Sequence, residues 1–470
     1  MTVDPLELSH RKPHLSASVP LTTVQKLLMI VFSAAAIALL ITHPWPTARA
    51  FILFATLFYV VFTLYKIMLV RCSLRSGAEL HISPEQCAAL SEDELPVYSI
   101  MVPLYREPES VGHLVTALEA LDYPAHKKDV QLLLEEDDDL TREAVAQLTL
   151  PAGFHVTLVP ESHPRTKPKA CNVGLAAATG SYLVIYDAED RPEPDQLRKA
   201  VAAFKEVAPD VICLQSRLNF YNPHQNLLTR IFAAEYSAWF DLSLPGLSAI
   251  DSVIPLGGTS NHFVTEKLRE LMGWDAYNVT EDCDLGIRIC RAGYRCRMLD
   301  TTTWEEACSR ISFWIPQRTR WFKGYIQTYL VHMRNPYRLL RDMGPVRFLH
   351  LQALIGGVVF CVLINPLFWT LVTLWFFFRL SVLATLFPGL VFAAGMGCLF
   401  LGNFVLLYIG AVACYRRGYF DLVKYAILAP VYWVLMSYSG WRAFLQFFSD
   451  PFKWEKTQHG LFEDTPEITS

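Results

Sequence analysis

Apolar residues in this chain collect into two blocks separated by a mixed middle, and that segregation constrains the fold more than any other feature. The first block contains "LLMIVFSAAAIALLI" (27–41) and "AFILFATLFYVVFTLYKIMLV" (50–70), joined by the short turn His43-Pro44-Trp45-Pro46. Each run is close to, or at, the ~20 residues that cross a bilayer as a helix. A secretory leader does not fit, because no small-residue cleavage site follows and a second apolar run comes at once. The second block, 351–447, is nearly continuous hydrocarbon, interrupted at Asn365-Pro366, Arg379, Pro388 and Arg416-Arg417-Gly418. It divides into three long spans or four shorter ones. Four return the C-terminus to the cytoplasm and put Arg416 and Arg417 outside; three reverse both outcomes.

Charge sets the orientation. Arg11, Lys12 and Lys26 precede the first pair of spans, and Arg71 and Arg75 follow it. By the positive-inside rule both flanks are cytoplasmic, so the segment from about 96 to 345 is cytosolic. With 52% hydrophobic and only 18% charged residues, the chain is too apolar for an ordinary soluble protein. A net charge of −4 without a dense Lys/Arg run argues against a nucleic-acid partner. The eleven cysteines form no C-x-x-C pair, which argues against a disulfide framework or zinc site and for a reducing compartment.

In the middle, strand-like and helix-like runs alternate. "VYSIMVPLY" (97–105) reads as a strand, 108–121 as a helix, "VQLLLEEDDD" (130–139) as a buried strand, and "FHVTLVP" (154–160) as a third. "PKACNVGLAAATG" (168–180) reads as a helix closed by glycine, and "SYLVIYDAED" (181–190) as a fourth strand. This βαβα order predicts an α/β fold with a mainly parallel sheet, whose ligands bind beyond the carboxyl ends of the strands. Two strands end in acidic clusters there. Asp187-Ala188-Glu189-Asp190 suits a divalent cation held by carboxylates and a diphosphate, or is a solvated acidic turn. Glu135 and Glu136 end the other, where Asp138, Asp139 and Thr141 also suit a helix cap. Thr280-Glu281-Asp282 opens a helix, either as a capping group or as a general base. No G-x-x-x-x-G-K-[ST] occurs, so a P-loop ATPase is excluded.

"IPQRTRWFKG" (315–324) places cations and aromatics just before the second apolar block. A basic flank to the membrane is the plain explanation. On a helix, however, Gln317, Arg320 and Trp321 stand at i, i+3 and i+4 and share a face. Arg318 and Lys323 point elsewhere, so Arg318→Lys is expected to be nearly silent. An amide, a fixed cation and an indole on one face suit an anionic leaving group beside a sugar ring.

Taken in order, "VPLYREPE", "LLLEEDDD", "KPKACNVGL", "YDAED", "GGTSNHF", "TEDCDLG" and "QRTRW" resemble the membrane-embedded family 2 glycosyltransferases, the group holding cellulose, curdlan and hyaluronan synthases. Q-x-x-R-W is characteristic of processive members. "DAED…PEP" with "GGTSNHF" is most similar to curdlan-synthase-like β-glucan synthases. The resemblance implies a GT-A nucleotide-sugar-binding domain inserted between transmembrane helices. The implied order is a cytosolic segment (1–26), two transmembrane helices (27–70), the GT-A domain (96–310), interface helices (311–345), three or four spans (351–447) and a cytosolic end (448–470).

The same resemblance implies roles. Tyr105, Glu107, Glu135 or Glu136, Lys169, Asn172 and Asp187 lie near the nucleotide. Asp187 with Glu189 or Asp190 holds Mg²⁺ or Mn²⁺, and Asp282, beside Glu281, is the base. Gln317, Arg320 and Trp321 serve leaving group and acceptor, and Thr259 lies on the acceptor side. "DPFKWEKTQHG" (450–460) resembles a gating segment, with Lys456, Thr457 and His459 over the pocket, or is a basic-aromatic flank to the last helix. The expected activity is processive, inverting polymerisation of glucose from UDP-glucose into a β-glucan. A single-sugar transfer to a lipid is the alternative. The expected setting is the bacterial inner membrane, among membrane lipid, with a growing glycan as acceptor and periplasmic export partners.

Overall fold

The computed structural model describes residues 4–75 and 77–453. Its centre is a nine-stranded sheet: β1 (Glu79–Leu80), β2 (Tyr98–Leu104), β3 (Lys128–Glu135), β4 (Phe154–Val159), β5 (Tyr182–Ile185), β6 (Arg191–Pro192), β7 (Val211–Phe220), β8 (Asn261–Val264) and β9 (Arg295–Glu305). The spatial order is β1-β9-β7-β8-β5-β2-β3-β4, with β6 paired to β9. Only the pairs β5–β8, β7–β8 and β6–β9 are antiparallel. From β2 the chain moves outward through β3 to β4, then returns to place β5 on the other side of β2. That reversal opens a crevice at the ends of β2 and β5, where ligands of such sheets bind.

The sheet is buried on both faces, as a parallel sheet requires. Its side chains alternate with period two. Met101, Leu133, Leu183, Ile185 and Phe263 enter one core, and Ile100, Val102, Leu132, Val184 and Leu214 enter the other. The first core is not confined to the catalytic layer. Tyr65 and Leu69 from the helix Pro44–Ser73, and Leu351, Leu354 and Ile355 from the start of the second apolar block, belong to it. Contact there is close: a Cβ added at Gly246 would stand 2.2 Å from the Leu69 carbonyl oxygen.

Among the described residues, four helices are long and apolar enough to cross a membrane: Thr23–Thr42, Pro44–Ser73, Pro336–Phe378 and Gly389–Arg416. The first is started by a capping box, in which Gln25 N–H donates to Thr22 Oγ1 (3.2 Å) and Thr22 N–H to Gln25 Oε1 (3.1 Å). The second starts at Pro44, inside the expected turn, because proline suits the first helical position. The two pairs meet within the apolar layer, where Tyr59 hydrogen-bonds Asn365.

Within the second apolar block, two helices among the described residues have the length and composition to cross a membrane. The remaining helix, Ala429–Ser449, runs beside Ile311–His332. Near its start Tyr432 accepts a hydrogen bond from Trp314 Nε1 (3.1 Å), and just past its end Lys323 Nζ donates to the carbonyls of Asp450 (3.3 Å) and Lys453 (2.7 Å). Both ends therefore stay with the catalytic domain. Arg417 is on that side too, paired with Asp241 at 2.8 and 2.9 Å.

Candidate active site

A cavity of about 840 Å³ starts at the β2/β5 crevice, passes the helices Glu281–Arg291 and Ile311–His332, and continues between the apolar helices. At the crevice end, Tyr105, Arg106 and Glu107 follow β2. Arg106 adopts a left-handed backbone (φ 54°), a strained state that surrounding contacts must impose. They do: Arg106 N–H donates to Asp138 Oδ2 (2.5 Å) and Glu107 N–H to Thr141 Oγ1 (3.1 Å). Asp138 also caps its helix through Thr141 N–H (3.3 Å). The capping reading of this acidic run and the shaping of the crevice are one arrangement.

β5 ends at Ile185, and residues 186–190 turn beside the cavity instead of extending the strand. Asp187 and Glu189 line the cavity. Asp190 is turned into the protein, where its Oδ2 accepts from Asp187 N–H (2.7 Å) and from the Thr259 hydroxyl. Its other oxygen is buried without a hydrogen bond. Asp190 thus shapes the turn, while Thr259 reaches the cavity wall and also donates to the Ile185 carbonyl (3.0 Å). Burial, then the charges of Asp187 and Glu107, push the Glu189 carboxyl well above its ordinary range.

The lysine on this wall is Lys167. It pairs with Asp187 and donates to the Gly258 carbonyl (2.8 Å). Burial opposes its charge, but Asp187 and then Glu281 hold its pKa above the ordinary value. Lys169 and Asn172, expected near a nucleotide, lie behind the wall. Lys169 Nζ donates to Glu135 (3.0 Å) and to the Pro160 carbonyl (3.2 Å). Asn172 Nδ2 donates to the carbonyls of Pro5 and Trp274 (both 2.8 Å), and its Oδ1 accepts from Trp274 N–H (2.9 Å). Both residues tie the helix Lys167–Ala177 to its surroundings. Glu135 reaches the cavity, whereas Glu136 is exposed and accepts from Glu161 N–H (3.2 Å).

Glu281 and Asp282 line the middle of the cavity, at the start of their helix. Asp282 Oδ1 accepts from Cys283 N–H (2.7 Å). Its Oδ2 abuts the Gly257-Gly258 turn, 3.5 Å from where a Cβ at Gly258 would stand. Burial raises both carboxyls. Glu281, which also feels the Asp282 charge, is pushed up to about 7. The sequence reading missed Glu305 and Glu306, which line the cavity from the end of β9. Their signal was a carboxylate pair closing a strand, in "TTTWEEACS". Burial and then the charges of Asp190 and Glu189 raise Glu305 well above its ordinary range.

Gln317, Arg320 and Trp321 all reach the cavity. Gln317 Oε1 is buried without a hydrogen bond, and Arg320 donates to the Val279 carbonyl at 3.4 Å. Arg318, expected off this face, is on the same wall. It forms a two-pronged pair with Glu235 (one contact 2.8 Å), donates to the Tyr432 hydroxyl (3.0 Å) and lies 4.4 Å over the Trp321 ring. Residues 318 and 321 are an i, i+3 pair, close enough for a long guanidinium to stack on the indole. Lys456, Thr457 and His459 lie outside the described residues.

Residues 99–255 match a family model described as "Glycosyl transferase family 2", and 182–407 one described as "Glycosyl transferase family group 2". A probable glycosyltransferase of Bacillus subtilis, YdaM, is 25% identical over 253 residues, 53% of this chain and 60% of that protein. A probable glucomannan 4-beta-mannosyltransferase 1 of Arabidopsis thaliana is 26% identical over 240 residues, 49% of this chain and 43% of that protein. The match thus spans about half the length of such curated relatives. Among solved structures, the mannosyltransferase PcManGT of Pyrobaculum calidifontis, in complex with GDP-Man and Mn²⁺, superposes with a TM-score of 0.53. The overlay is 20% identical and covers 86% of this chain and 99% of that one. With a mixed, mostly parallel GT-A sheet beside apolar helices of crossing length, the chain is similar to the family 2 glycosyltransferases over residues 99–407.

Proposed function

We propose that the chain is an inverting hexosyltransferase that takes a nucleotide-activated sugar at the β2/β5 crevice and extends a β-glycan whose end reaches it from the membrane side. The observation that carries this reading is one cavity joining Asp187 and Glu189, the Glu281-Asp282 pair, Trp321 and the apolar helices. In this reading Asp282 takes the proton of the acceptor hydroxyl as its oxygen attacks the sugar's anomeric carbon. The bond from that carbon to the diphosphate oxygen breaks, and the nucleoside diphosphate leaves. Arg320 and Lys167 hold the departing phosphates, and Trp321 offers a ring face to the acceptor sugar. The arginines and lysines flanking the apolar helices (Lys26, Arg71, Arg75, Arg417) favour a cytosolic catalytic domain, with the bacterial inner membrane as the expected setting.

A divalent cation fits the crevice. Asp187 and Glu189 face it together, and burial followed by the Asp187 charge raises Glu189. Among the described residues no three His, Cys, Asp or Glu side chains form a metal cage, so the diphosphate would complete the ligand set. Bound there, Mg²⁺ or Mn²⁺ supplies positive charge to the leaving group. EDTA is therefore expected to stop transfer, with Mg²⁺ or Mn²⁺ restoring it. Asp187→Ala should weaken donor binding only when metal is present; full activity in chelator would sink the assignment.

The sugar is glucose or mannose. The sequence motifs favour UDP-glucose, whereas curated relatives of similar identity are named as mannosyltransferases. Full-length protein in lipid nanodiscs, given labelled UDP-glucose or GDP-mannose, should build a polymer from one of them. Glycanase digestion then gives the linkage. A second reading, one sugar added to a lipid, is favoured by the aliphatic walls of the cavity's membrane end, including Leu354, Val358 and Leu406. A single-sugar glycolipid product would establish it in place of the polymer.

A further inference from the structure

Lys66 belongs to the helix Pro44–Ser73, yet its side chain lines the cavity where the catalytic layer gives way to the apolar helices. Its ammonium is 5.4 Å from the Phe62 ring centre and 5.7 Å from that of Trp239. Among the described residues no carboxylate pairs with it. Every other charged group on the cavity wall belongs to the catalytic layer, where acids and bases are interleaved. The wall contributed by the apolar helices near it includes Leu354, Val358, Leu406 and Leu407, none of which offers a hydrogen-bonding side chain.

An amine taken from water sheds its proton or takes up a counter-charge, because ring faces recover only part of an ammonium's lost hydration. Sugar hydroxyls would satisfy its hydrogen bonds without neutralising it. A phosphate does both. Hydrocarbon beside the cation completes the match to an amphiphile, with its headgroup at Lys66 and its chain among the leucines.

We propose that Lys66 marks a binding site for a lipid phosphate at the membrane end of the cavity. Such a lipid would be placed to carry the acceptor. The acceptor role rests on the transferase reading above, but the binding site does not. Aromatic side chains also line the cavity nearer the reaction centre. Tyr236 lies 5.4 Å from Phe240 and 6.3 Å from Trp321 between ring centres, so a sugar attached to the bound lipid would have ring faces to follow.

The test uses full-length protein in a phosphate-free polyoxyethylene detergent and measures binding of polyprenyl phosphate, phosphatidylglycerol and polyprenol. A lipid phosphate should bind ~10–100-fold more tightly than polyprenol, as expected for a charge-assisted contact. That preference should persist in Lys66→Arg and vanish in Lys66→Met. The two phosphate-bearing lipids distinguish an isoprenoid carrier from bulk phospholipid, either of which supports the site. The proposal is overturned if Lys66→Met keeps the preference. It is overturned equally if inorganic phosphate at millimolar concentration displaces the lipid, or if Lys66→Met instead weakens binding of a neutral manno- or gluco-oligosaccharide. Asp282→Asn should leave lipid binding unchanged, so loss of the transfer reading and loss of this site are read in separate assays.

Discussion

Asp282→Asn is expected to lower sugar transfer by ~10²–10⁴-fold, the range for loss of a positioned general base. The amide keeps the size of the carboxylate and can still accept from Cys283 N–H, so the start of the Glu281–Arg291 helix should survive. Donor binding should change little, because Asp187 and Glu189, which hold the donor side in this reading, are left intact. Isothermal titration with the nucleoside diphosphate and single-turnover transfer together separate the two effects. Glu281→Gln gives the control. It removes the neighbouring carboxylate, whose own pKa the Asp282 charge raises, without removing the base, and should cost much less. Near-normal turnover of Asp282→Asn, or a greater loss in Glu281→Gln, would move the base elsewhere.

The second large effect is expected at Arg318, where helical spacing alone predicts almost none. Its guanidinium joins Glu235, the Tyr432 hydroxyl and the Trp321 ring. Lysine keeps the charge but cannot make the two-pronged contact or stack as a plane. Arg318→Lys should therefore let Trp321 shift, and a misplacement near 1 Å is enough to cost about 10²-fold in turnover. Removing the partner instead, in Glu235→Gln, leaves a buried guanidinium short of its counter-charge, a change that costs about 3–5 kcal/mol when a buried pair is broken. Because the residues act as one unit, the double variant should be little worse than the singles. Acceptor kinetics and thermal unfolding in detergent report the two consequences. Unchanged acceptor kinetics in Arg318→Lys would leave the pair as a structural tie alone.

The parts legible in the sequence were those set by short-range rules. Apolar runs of bilayer length located Thr23–Thr42 and most of Pro44–Ser73, and strand–helix alternation located β2 to β5 within a few residues. Order along the chain also identified the acidic turn and the Glu281-Asp282 helix start. Failures came where the deciding contact was distant. Ala429–Ser449 lies inside the apolar block read as spans, but its ends are held by Trp314 and Lys323, more than a hundred residues away. Asn172 was placed near the nucleotide by family resemblance, while in the structure Pro5 and Trp274 use its side chain. Arg318 was misjudged because helical angle fixes where a Cβ points, not where a guanidinium at the end of three methylenes comes to rest. Lys167 was passed over beside Lys169; only the turn of the helix start decides which of two nearby lysines faces the cavity.

Tyr65, Leu69, Leu351, Leu354 and Ile355 share a core with the sheet, and this bears on how the molecule can be made. A catalytic domain cut out at 96–310 would lose the surface that the Gly246 backbone packs against and bare a face of its own interior. During synthesis the hairpin formed by residues 23–73 emerges first, so that surface is available when the sheet collapses. The later helices then close the other side. Excision does not yield a smaller enzyme here; it removes part of the mould on which the enzyme sets.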